Sequence, residues 1–147
     1  MASSANRRLM AGLVPAPIIV VERFGDVPGA ALYPEEEAAI ARAVPKRRNE
    51  FTTVRHCARM AMAALGVEPC ALVPGPSGAP TWPSGVVGSM THCAGYRAAA
   101  VARSTDIATL GIDAEPHEPL PAGMLRRVGC GSEQGHLAQL AADFPAI

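Results

Sequence analysis

Asp113 and Glu115 close a short apolar run, Thr109-Leu-Gly-Ile-Asp-Ala-Glu115, and stand two positions apart. In a strand, residues i and i+2 point to the same face. The spacing therefore predicts two hard oxygen ligands side by side at a strand end. Mg²⁺ takes one or two carboxylates and fills its other positions with water and phosphate oxygens. A solvated, charged strand end has the same appearance, so the rest of the chain has to separate the two readings. A second group with chemical potential lies upstream. Arg48, Arg55 and Arg59 fall at +7 and +4 from one another, a stripe that flanks an apolar helix face rather than opposing it. Guanidinium groups there sit at the edge of a buried surface; arginines snorkelling at a helix boundary are the plain alternative.

The elements that must position these residues read as mixed α and β. Ile18–Val21 is a β-branched run and a predicted strand. Pro34 opens a helix with Glu35, Glu36 and Glu37 in its first turn, favourable to the helix dipole, running to about Val44. Pro45 breaks it and opens the best-defined helix, in which Phe51, Val54, Ala58, Ala61 and Leu65 repeat at helical spacing and Gly66 is the stop. Cys70–Val73 is a short strand, and Gly75 to Pro83 a turn-rich connection. Val86–Thr91 and Tyr96–Ala102 form a hairpin with His92 to Gly95 between them. Thr109–Ala114 is the next strand, ended by Pro116 and Pro119. Pro121–Val128 and Ser132–Ala142 are short helices.

Bulk properties bound the function. The 147 residues suffice for one ordinary domain with a real core. With 49% hydrophobic but only 4% aromatic residues, that core is built from small aliphatics, and its helices depend on tertiary packing. Thirteen basic residues balance thirteen acidic ones, which argues against nucleic-acid binding by bulk charge. The charges are nevertheless segregated, Glu35–Glu37 against Lys46–Arg48, so local fields matter more than the total. Cys57, Cys70, Cys93 and Cys130 show no paired C-x-x-C spacing. The opening Met-Ala-Ser-Ser-Ala-Asn-Arg-Arg is not followed by a signal-peptide core, because Gly12, Pro15 and Pro17 break the apolar stretch; no run reaches membrane-spanning length. Free thiols in a reducing cytoplasm follow. A zinc site from His92, Cys93 and a distant cysteine is poorly supported by the spacing.

Four blocks, in order, carry a resemblance: Arg47-Arg-Asn-Glu-Phe51 running into Cys57-Ala-Arg59; Gly78-Ala-Pro-Thr-Trp-Pro83; Gly88-Ser-Met-Thr-His-Cys-Ala-Gly-Tyr96; and Leu110-Gly-Ile-Asp-Ala-Glu115. Together they resemble the 4′-phosphopantetheinyl transferases that serve siderophore and antibiotic synthetases, from about Leu9 to at least Leu120. Such enzymes move the phosphopantetheine arm of coenzyme A onto a serine of an acyl or peptidyl carrier protein, with Mg²⁺. The resemblance implies that Asp113 and Glu115 hold Mg²⁺ against the coenzyme A pyrophosphate. It implies that His92 contacts a coenzyme A phosphate, as a donor strengthened by protonation, with Thr91 adding a hydroxyl. A histidine satisfied within a turn is the alternative. Gly78 and Pro80 shape a loop over the nucleotide, where some relatives carry a basic residue and this chain has Ala79. Lys46, Arg48, Arg55 and Arg59 are candidates for the 3′-phosphate, and spacing does not choose among them. Trp82 either stacks on something or is a half-buried structural residue.

The implied fold is α/β (α+β), two similar halves with coenzyme A between them: residues 1–106 the first half, and 107–147 the start of the second. The family continues into a third block, an aromatic residue followed by Lys-Glu and a further lysine, which has no counterpart here; Glu133 lies outside any matching motif. A second half truncated in this way is expected to leave an unpaired edge, and with it marginal stability or self-association. Two functions follow: an Mg²⁺-dependent phosphopantetheinyl transferase, impaired without that block, or a non-catalytic module that holds coenzyme A or a carrier protein.

Overall fold

A computed structural model describes residues 8–143, and the chain divides into two compact units, Met1–Glu115 and Pro116–Ile147. Residues 107–115, which the sequence grouped with a second half, belong to the first of these units. The signal-peptide reading falls largely on residues 1–7, outside the described range. The fold is α+β.

The first unit is a three-stranded antiparallel sheet with one long helix packed on it. Its strands are β1 (Ile19–Phe24), β2 (Val86–Cys93) and β3 (Tyr96–Arg103), in the order β1-β3-β2. The central strand β3 is buried from Tyr96 to Ala102. Its Ala98, Ala99 and Ala100 have no exposed surface. Small side chains along a central strand let a helix approach closely, which is how a chain so poor in aromatics closes its core. That helix is α2 (Pro45–Ala64), preceded by the short α1 (Pro34–Ala39). Cys57, Ala58, Ala61 and Met62 of α2 pack with Leu72, Val86, Ala99 and Val101 in one cluster. The predicted stripe is the buried face, and Gly66 is the predicted stop. Its φ of 74° permits a Schellman ending, with Val67 N–H donating to Met62 O and Gly66 N–H to Ala63 O.

Several predicted elements differ, β1 among them, which runs on to Phe24 rather than ending at Val21. The first helix ends at Ala39, not near Val44. Ile40 is buried with φ −120°, and its carbonyl accepts from Ala43 N–H, so the chain turns there to reach Pro45. Cys70–Val73 is not a strand, because its backbone is claimed by side chains: Leu72 N–H donates to Glu36 Oε1 (2.7 Å) and Leu72 O accepts from Arg55 Nε (2.9 Å). Thr109–Ala114 is not a strand for the same reason. Ile112 N–H donates to Ser89 Oγ (3.1 Å) and Ala114 N–H to Thr91 Oγ1 (3.0 Å), so hydroxyls of β2 replace a ladder. Conversely, β2 runs on through His92 and Cys93, because Ala94 and Gly95, with Gly95 at φ 74°, suffice to turn the hairpin. His92 is thus a strand residue rather than part of the turn.

Trp82 is structural. Its indole lies so close over Gly88 that a Cβ there would meet ring carbons at 2.7 and 2.8 Å and Ala100 O at 2.9 Å. The second unit, taken by itself, contains α3 (Met124–Val128) and α4 (Gly131–Asp143), near the predicted helices. Glu133 there accepts from Cys130 N–H at 2.8 Å, a capping role on an exposed surface.

Candidate functional site

The site is assembled from the first turns of α2, the end of β2 and the loop between residues 74 and 80. Arg47, Phe51, Val54 and Arg55 recur at helical spacing on α2 and line one wall of a cleft of about 140 Å³. Met90 and His92, two apart on β2, form another wall, and Pro74, Gly78 and Pro80 close the third side. The loop is a tight hairpin: Gly78 N–H donates to Gly75 O, Gly75 N–H to Ala79 O, and Pro74 bridges Pro80. Gly78 sits at φ 82° with nothing near the place a Cβ would occupy, so its contribution is backbone conformation rather than room.

Cations converge on this cleft. Arg47 Nη1 lies 2.9 Å from His92 Nε2. His92 Nε2 is also 3.3 Å from Glu50 Oε2, whose other oxygen is 3.7 Å from Arg97 Nη2; Arg97 in turn pairs with Asp26 at 3.0 Å. Arg55 is buried, with its guanidinium over the Phe51 ring, 3.2 Å from the centroid. Burial pushes Arg55 down to about 10, with Arg47 and Arg59 adding to that and Glu36 opposing it. A guanidinium pressed in this way by desolvation and like charge gains from any anion brought to it.

The remaining arginines have other employment. Arg59 Nη1 binds the fully buried Glu36 at 2.9 Å and Nη2 binds Ala31 O at 2.7 Å. Glu36 also accepts from Tyr33 N–H and Leu72 N–H, so it fastens α1, α2 and the 70–73 segment together. Arg48 bridges to Glu37 and faces a separate groove of about 400 Å³ lined by Asp26, Asn49 and Thr52. Lys46 is exposed. Of the four basic candidates, Arg55 alone lines the cleft with His92, Gly78 and Pro80. Arg47, which the sequence offered only within a motif and a basic run, lines the cleft as well. A signal existed: Arg47 extends the Phe51–Val54–Ala58 stripe one turn towards the N-terminus, whereas Arg48 does not.

The carboxylate pair lies beside the same strand end. β2 alternates, so Met90 and His92 face α2 while Ser89 and Thr91 face the other way. Thr91 Oγ1 is 3.1 Å from Asp113 Oδ1 and accepts from Ala114 N–H. Asp113 and Glu115 are exposed while Ile112 and Ala114 are partly covered, so the predicted two-residue alternation survives without strand pairing. Among the described residues no cluster of three or more acidic, histidine or cysteine side chains could hold a metal. Two exposed carboxylates still fit Mg²⁺, which needs no more than that from a protein when phosphate and water complete its shell.

A small cleft walled by two arginines and a histidine, with a carboxylate pair beside the same strand, gives this α+β unit the side-chain chemistry that a phosphorylated ligand would need. Comparison with known proteins makes this specific. The family model for the 4′-phosphopantetheinyl transferase N-terminal domain matches residues 35–102. The chain is 54% identical over 142 residues to the 4′-phosphopantetheinyl transferase Svp of Streptomyces mobaraensis, covering 95% of this chain and 58% of that protein. It is 48% identical over 133 residues to PptT of Mycobacterium tuberculosis, covering 88% and 59%. With Npt of Nocardia iowensis the identity is 55% over 102 residues, covering 69% and 46%. The chain belongs to the 4′-phosphopantetheinyl transferase family. It spans a little over half the length of the first two relatives.

Proposed function

We propose that this chain provides the coenzyme A-binding part of an enzyme that transfers the 4′-phosphopantetheine arm to a serine of an acyl or peptidyl carrier protein. The observation that carries the reading is the Arg47–His92 contact at 2.9 Å in a cleft shared with Arg55, Gly78 and Pro80. Arg47 and Arg55 provide fixed positive charge for the 3′-phosphate, in the forked geometry that guanidinium offers. Gly78 and Pro80 shape the loop over the nucleotide. Asp113 and Glu115 are the residues that would hold Mg²⁺, with Thr91 orienting Asp113 by its hydroxyl. When bound, that ion would neutralise charge on the pyrophosphate and polarise the phosphorus under attack. The acceptors we favour are carrier domains of siderophore and antibiotic synthetases, in a reducing cytoplasm where the four free thiols persist. No helix among the described residues is long and apolar enough to cross a membrane.

The test is intact-mass analysis of an apo carrier protein incubated with coenzyme A, Mg²⁺ and this chain, or this chain extended by the third block. Addition of the arm by either supports the reading. No addition by either, together with no binding of coenzyme A by calorimetry, removes it. Binding without addition leaves the non-catalytic module.

A further inference from the structure

His92 Nε2 has two neighbours of opposite demand. Arg47 Nη1, at 2.9 Å, can only donate; Glu50 Oε2, at 3.3 Å, can only accept. One imidazole nitrogen cannot serve both. If Arg47 donates, Nε2 is a bare lone pair and the proton sits on Nδ1. If Glu50 is served, Nε2 carries a proton and Arg47 is released. Glu50 is 8% exposed, and among the described residues its other ion-pair partner within 4 Å is Arg97 at 3.7 Å. A carboxylate so enclosed gains from a nearer partner. The charged groups around the ring are Arg47, Glu50 and Arg55 from α2 and its cross-strand neighbour Arg97 on β3, with Asp26 behind Arg97.

We propose that Glu50 is a positioning residue that couples anion binding in the cleft to proton uptake by His92. In the empty cleft Arg47 donates to the neutral ring at Nε2. An anion draws the guanidinium onto itself; Nε2 takes up a proton from solvent and keeps it, donating a hydrogen bond to the Glu50 carboxylate, and Nδ1–H is left for the anion. The ring changes from acceptor to cation in step with occupancy. This rests on the cleft being the anion site of the proposed function, but it asks only for a dianion.

The experiment follows the ring nitrogens of His92 by ¹⁵N NMR at neutral pH in the full chain, first empty, then saturated with sulfate, which carries no proton of its own in this range, and separately with coenzyme A. The expected result is a neutral ring with Nε2 unprotonated in the empty protein, and both nitrogens protonated with either anion. Glu50→Gln should keep the ring neutral with sulfate bound and weaken sulfate binding roughly 10- to 100-fold, as loss of one hydrogen bond to a charged group would; Glu50→Asp should restore protonation in part. Should Glu50→Gln fail to fold, Arg47→Ala gives an independent reading: without its donor, Nε2 should turn to Glu50 in the empty protein. The inference is overturned if sulfate or coenzyme A binds with the ring still neutral, if Glu50→Gln protonates like the parent, or if neither anion disturbs His92. Coupling seen with sulfate while coenzyme A does not bind would sustain this inference and remove the substrate assignment. Coenzyme A bound beside a neutral ring would do the reverse.

Discussion

Arg47 and Arg48 are adjacent in sequence and face different cavities, one beside His92 and the other bridging to Glu37. Arg47→Ala should weaken coenzyme A binding roughly 10- to 100-fold, the worth of a hydrogen bond to a charged group at about 1.5–3 kcal/mol. Arg48→Ala should leave it within about twofold, since that side chain spends its charge on an exposed pair worth little. Calorimetry on both decides; equal losses would mean that the cleft is misassigned. The cysteines give a second prediction at this scale. Burial pushes the Cys57 thiol up to about 11, while the exposed Cys130 is held below its ordinary range chiefly by Ser132 Oγ. Cys130 should therefore be alkylated well before Cys57, by peptide mapping after a short pulse, with Cys57 reacting only on unfolding. The sequence displayed His92, Gly78 and the carboxylates because each sat in a short distinctive block. It did not display the division among the arginines. Glu36, which occupies Arg59 and stands 3.7 Å from Arg55, lies about twenty residues away and reads as one of three identical surface glutamates.

At the scale of elements, α2 and the hairpin followed local rules and were legible: an apolar stripe, a glycine stop and two β-branched or alanine-rich runs. The 70–73 and 109–114 segments were apolar and extended and so read as strands. What decided their state was whether a neighbour offered a backbone edge or a side chain, and that depends on the folded arrangement. The Trp82–Gly88 contact belongs to this scale. Gly88→Ala forces a methyl into the indole, and overpacking of this kind costs about 1–3 kcal/mol. Denaturant titration should show that loss together with a shifted tryptophan emission; an unchanged midpoint would mean that the indole moves aside freely. His56, on α2, gives the pH dependence. Burial first, then Arg23 and Arg59, hold its imidazole below the ordinary value. The unfolded chain therefore takes up that proton before the folded one does. Stability from this source is complete above the ordinary histidine range and falls as pH drops through it. Melting temperatures between about pH 8 and 5 should decline less steeply in His56→Gln than in the parent.

For the molecule as a whole, every residue of the cleft and both carboxylates lie in the unit that ends at Glu115. Coenzyme A at a hundredfold excess over its Kd should stabilise the chain by about 2.7 kcal/mol. The reading of Asp113 as a metal ligand predicts a further increment with Mg²⁺ that Asp113→Ala abolishes, measured as paired thermal shifts. An increment that survives the substitution would remove Asp113 from that role. His92 turns to the cleft and its neighbour Thr91 turns to Asp113, so two duties rest on consecutive residues of a single strand. Because side chains alternate, inserting or deleting one residue between Val86 and His92 would exchange those duties or bury the wrong set. Length variation should thus be tolerated in the surface turns around the hairpin and purged from these seven positions, whatever substitutions they accept.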